Sequence, residues 1–102
     1  MAARQPLTDD EIADRLAGLP GWARDGDGIS RTFDDTWDRC IDLAVQVAAK
    51  ANELNHHPDI DIKWGRIRFV ITTHSAGQRL TELDFELAGS IDTIAAAAQI
   101  GQ

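Results

Sequence analysis

The sequence predicts an α+β fold: a four-stranded antiparallel sheet with three helices packed on one face, in the order α-β-β-α-β-β-α. Three observations carry this. Apolar residues keep a 3.6-residue period from Trp37 to Leu54. Two stretches of alternating apolar and polar residues are each interrupted by a glycine-containing reversal. Threonine-led caps at Thr8 and Thr81 open a helix near each end of the chain.

Taken in order, Thr8 and Glu11 form a capping box, and the helix they open turns Ile12, Leu16 and Leu19 inward until "GLPGW" ends it. Residues 1–6 read as a loose leader to one domain spanning 1–102. Trp22 and the alternating Ile29, Arg31 and Phe33 flank "DGDG", whose glycines supply the positive φ that a tight reversal needs, giving a first hairpin. The long helix starts at Asp35 or Thr36 and directs Trp37, Cys40, Ile41, Ala44, Val47, Ala48, Ala51 and Leu54 to the core, which also takes Trp22. Beyond it Ile60, Ile62 and Trp64 alternate with Asp59, Asp61 and Lys63, and "IRFVITT" follows Gly65 as a second hairpin. Thr81 and Asp84 start the last helix, with Leu83, Leu87, Ile91, Ile94, Ala95 and Ala98 on its apolar side. Two hairpins sharing one sheet, with the helices on one face, bury every apolar stripe.

Composition narrows function. A chain of 102 residues supports one core and one active surface per subunit. The net charge of -7, with ten scattered Lys and Arg, disfavours nucleic acid and anionic membranes as partners, because phosphate binding needs clustered cations. The lone Cys40 excludes an intramolecular disulfide framework. No apolar run approaches the ~20 residues that span a bilayer, and no signal-peptide pattern opens the chain, so a cytoplasmic setting is expected.

"NELNHHPDIDIKW" holds two of the three histidines. With Gly65 and Arg66 as the turn, Trp64 faces Ile67, and continuing that register sets His57 opposite His74, where facing Cβ atoms lie about 5 Å apart. All three imidazoles are thus expected at one mouth of the sheet, beside the end of the long helix, with Asp84 in reach. Three readings stand open at this point. His-His-Pro can cap carbonyls and stop the helix. Three histidines can hold zinc with an open position. Without metal, imidazoles that titrate near neutrality can act as acid and base. Asp84 has two roles available, helix cap or site carboxylate, and Trp64 can pack the hairpin or form a substrate platform. Asp59 and Asp61 read as solvent-facing strand residues.

The segments "NHHPDIDIKW", "TTH" and "LTELDFELA", with "LTDDEIADRLAGLPGW" before them, resemble the pterin-4a-carbinolamine dehydratases over nearly the whole chain. The resemblance implies the same four-stranded sheet with helices on one side. It also implies active-site histidines at His56, His57 and His74, a site carboxylate at Asp84, and substrate contacts that include Trp64 and Glu53. The activity it implies is loss of water from a 4a-hydroxytetrahydropterin, the small-molecule substrate, with no cofactor and no metal. A homodimer or homotetramer is implied as well, as is a second class of role, a dimerisation partner of another protein. This chain departs from the family pattern in three places: Asn52 where many members carry Glu, Leu83 where Arg is common, and one extra residue between His74 and Leu80.

Overall fold

The computed structural model describes residues 4–101 of the chain; the first three positions of the expected leader lie outside the described residues. The order is α1 (Asp9–Ala17), β1 (Ala23–Asp25), β2 (Gly28–Asp34), α2 (Trp37–Leu54), β3 (Asp59–Lys63), β4 (Arg66–Ile71), a 3₁₀ turn (His74–Ala76) and α3 (Glu82–Ala97). The strands form one antiparallel sheet, β1-β2-β4-β3, so the two hairpins share a sheet as expected, and they join through β2 and β4. The 3₁₀ turn is the element that periodicity did not reveal. It spans only three residues, too few to show a repeat.

Each strand buries alternate residues. Ile29 and Phe33 of β2, and Ile67, Phe69 and Ile71 of β4, face the helices and lie in the core, while Arg66 and Arg68 occupy the other face. Gly28 is required in the first hairpin by a close approach, since a Cβ there would stand 2.5 Å from the carbonyl oxygen of Ile71. The buried stripe of α2 is Cys40, Leu43, Val47 and Ala51. Leu43 therefore replaces Ala48, which is exposed, on the inward face. On α3 the buried set is Phe85, Leu87, Ala88, Ile91 and Ala95 with Asp84, and Leu83, Ile94 and Ala98 are only half-buried. Trp22 is in the core, its Nε1 donating to Asp92 Oδ1 at 2.8 Å.

Two expectations need correction. Trp37 is not a core residue: it stands at the first helical position of α2, is 40% exposed, and stacks on Trp64 with ring centroids 6.2 Å apart. It follows the cap Thr36 at the very start of α2, and its ring lies on the tip of the second hairpin. The β3–β4 turn is Trp64–Gly65, with Lys63 opposite Arg66, and not Gly65–Arg66. Gly65 takes the positive φ of 90° at the second turn position, where a side chain would be strained. Continued beyond the strands, this register sets Asn55, not His57, opposite His74, and brings His56 opposite Thr73.

Candidate active site

Helix α2 ends because Asn55 enters the left-handed region at φ 52°, ψ 44°. The Asn55 N–H returns to the carbonyl of Asn52 and the His56 N–H to that of Ala51, a Schellman closure that satisfies the last carbonyls. The helix-stopping role of the His-His-Pro segment is therefore present, carried by backbone atoms. It leaves both imidazoles free for other work.

The His56 ring turns inward and is 6% exposed. Its Nε2 lies 2.7 Å from Oδ1 of Asp84, which is fully buried. Oδ2 of Asp84 accepts from the Thr81 N–H at 2.8 Å and from the Thr73 hydroxyl at 2.8 Å. The Thr81 hydroxyl is 2.8 Å from that of Thr73, and Thr73 has given its own hydrogen to Asp84, so Thr81 donates. An ionised carboxylate only accepts, which puts a hydrogen on His56 Nε2. The two roles open to Asp84 in the sequence are thus not alternatives: one oxygen completes the capping box of α3 and the other anchors an imidazole. Among the described residues no buried side-chain nitrogen or oxygen lacks a partner.

His57 is exposed, and its Nε2 is 2.8 Å from Asn52 Oδ1, one turn back on α2. His74 is exposed at the start of the 3₁₀ turn, directly after Thr73. Because Thr73 and His56 share Asp84, the segments that carry His56–His57 and His74 are tied together at the N-terminus of α3. Arg4 adds a tie across the same gap, donating to Ser75 Oγ at 3.0 Å and to the Asn55 carbonyl at 3.4 Å.

The structure does not bring in the other two candidates. Glu53 is exposed on α2 and pairs with Lys50 at 3.3 Å. Trp64, 85% exposed, sits at the turn, separated from the histidine end by the length of β3, about 13 Å at 3.3 Å per residue. Asn52, Thr73 and Thr81 are the polar partners that joined the network without being singled out as site residues. Asn52 drew notice only as a departure from the family pattern, and Thr81 only as a cap. The lone thiol, Cys40, is buried on the inner face of α2, and burial first, then the charge of Asp35, pushes it above the ordinary range. Among the described residues no three His, Cys, Asp or Glu side chains converge as a metal-ligand group.

The chain is thus an α+β protein in which one buried carboxylate ties a His-His-Pro segment to a Thr-His segment. It belongs to the pterin 4 alpha carbinolamine dehydratase family, whose profile matches residues 5–94. A relative from Mycobacteroides abscessus, provisionally named a pterin-4-alpha-carbinolamine dehydratase, is 51% identical over 89 residues, covering 85% of this chain and 93% of the relative. One from Nocardia farcinica with the same provisional name is 47% identical over 90 residues, covering 87% and 94%. A crystal structure from Brucella melitensis, described as a transcriptional coactivator/pterin dehydratase, superposes with a TM-score of 0.84 at 30% identity, covering 89% of this chain and 99% of that one.

Proposed function

We propose that this protein removes water from a 4a-hydroxytetrahydropterin to give the quinonoid dihydropterin, the step that returns the cofactor after an aromatic amino acid hydroxylase has used it. The observation that carries the reading is the tie of both histidine segments to Asp84, in a chain of this family. The reaction moves one proton onto the hydroxyl leaving C4a and takes one from ring N5, whose electron pair closes the C4a–N5 double bond. Two imidazoles reached from solvent can do both, and in this reading His57 and His74 face the reacting centre. His56, held by Asp84, fixes the segment and offers its Nδ1 to the pterin's polar edge. Glu53 and Trp64 drop out of the substrate contacts.

The test is dehydration of a freshly generated 4a-hydroxytetrahydropterin followed by absorbance. Turnover should exceed the spontaneous rate and survive a chelator, since no metal or other cofactor enters the proposal. Activity lost on chelation and restored by zinc would instead point to metal-bound water.

Self-association into a dimer or tetramer and a cytoplasmic location belong to the same proposal. No helix among the described residues is long and apolar enough to cross a membrane. Sedimentation at micromolar concentration should give a species heavier than the 11.2 kDa chain, and a clean monomer would remove the oligomer from the proposal. A second reading, a protein-binding module, is favoured by one observation: the Brucella melitensis protein is described as a coactivator as well as a dehydratase. Absence of any turnover in a folded protein would move the weight to it.

A further inference from the structure

The two adjacent imidazoles are fastened through the same ring atom to chemically different partners. His56 Nε2 meets a buried carboxylate at 2.7 Å, and His57 Nε2 meets the amide oxygen of Asn52 at 2.8 Å. We infer that Asn52 is a positioning residue that fixes His57 as its Nε2–H tautomer and so makes Nδ1 the free, proton-accepting nitrogen of the site. This rests on the dehydratase reading for its consequence, though not for its geometry.

A neutral imidazole carries one ring hydrogen, and the atom that donates it leaves the other nitrogen with a lone pair. An amide oxygen at 2.8 Å from Nε2 is an acceptor, so the hydrogen is on Nε2. The backbone makes the contact possible. Asn52 lies on the last turn of α2, and the left-handed Asn55 reverses the chain so that His57 comes back over that turn. The amide accepts without adding a formal charge beside the ring, and the neighbouring charges, Lys50 and Glu53, are paired with each other. In the elimination, His57 Nδ1 takes the N5 proton, the N5 electron pair forms the double bond to C4a, and the C4a–O bond breaks. The hydroxyl leaves as water with a proton from the acid partner, His74. Proton count and charge balance without an oxidant or a reductant.

The experiment reads the imidazole nitrogens of the full, uniformly ¹⁵N-labelled chain by two-bond ¹H–¹⁵N correlation, above the pH at which the rings are charged. For His57, Nε2 should fall in the protonated range and Nδ1 in the bare range. In Asn52→Leu the two shifts should converge as the tautomers interconvert, with kcat down about tenfold and KM changed less than about twofold. Asn52→Asp, which keeps an acceptor oxygen, should restore both the nitrogen pattern and kcat. Asn52 is exposed and leucine favours helix more than asparagine does, so the variant folds. A hydrogen on Nδ1 in the parent protein, or a pattern unchanged in Asn52→Leu, overturns the inference. The expected pattern in a protein without dehydratase turnover supports the positioning by Asn52 and overturns the dehydratase reading alone.

Discussion

Replacing Asp84 by Ala should lower the unfolding free energy by about 3 to 5 kcal/mol, because each buried donor left without its acceptor costs about 1 to 3 kcal/mol. Three donors lose their acceptor at once: His56 Nε2, the Thr81 N–H and the Thr73 hydroxyl. None can turn to water, because His56, Thr73 and Thr81 are themselves buried. In a domain of this size each kcal/mol moves the midpoint by roughly 4 to 8 °C, so the variant should melt at least about 12 °C lower. Chemical denaturation checks the free energy directly. A loss of only about 0.5 to 2 kcal/mol would be that of an ordinary helix cap, and would mean that the bond to His56 adds nothing. Asp84→Asn keeps the shape and one acceptor oxygen, so its loss should be smaller while the anchoring of His56 is still weakened.

The second large effect falls on turnover. His57→Ala and His74→Ala should each lower kcat by about 10² to 10⁴-fold, the usual contribution of a positioned proton-transfer group. Both rings are exposed, so the unfolding free energy should move by no more than about 0.5 kcal/mol. His56→Ala behaves differently. It strands the buried carboxylate of Asp84 and should unfold early as well as turn over slowly. A folded His74→Ala protein with full activity would end the catalytic assignment of that residue, and the dehydration assay with matched thermal melts reads all three variants.

Several features were legible because they rest on local rules. Thr8 with Glu11 and Thr81 with Asp84 are capping boxes in the structure, and hydrophobic alternation places Ile29 and Phe33 in the core. Trp37 was misread because periodicity assigns a face to a residue at a helix start but does not say how much of the molecule covers it there. The second hairpin was misread by one turn position, since "WGR" offers glycine as either the first or the second turn residue. The strand pairing decides for the second, with Lys63 opposite Arg66. Asp84 was framed as cap or site, although a carboxylate has two oxygens and can serve both. Asn52 and Thr73 could not be found by period at all: each reaches its partner across the end of a regular element, where the chain changes direction.

The sharing of Asp84 also bears on how the molecule comes into being. His56 follows α2, Thr73 follows β4, and the carboxylate they both need lies on α3, the last element of the chain. Until α3 docks, His56 has water where Asp84 will stand. His56 and Asp84 are 28 residues apart in sequence, so the loop between them must close before they can pair. Docking of α3 therefore completes the core and brings in the carboxylate of the proposed site together, and a chain truncated ahead of Asp84 lacks both.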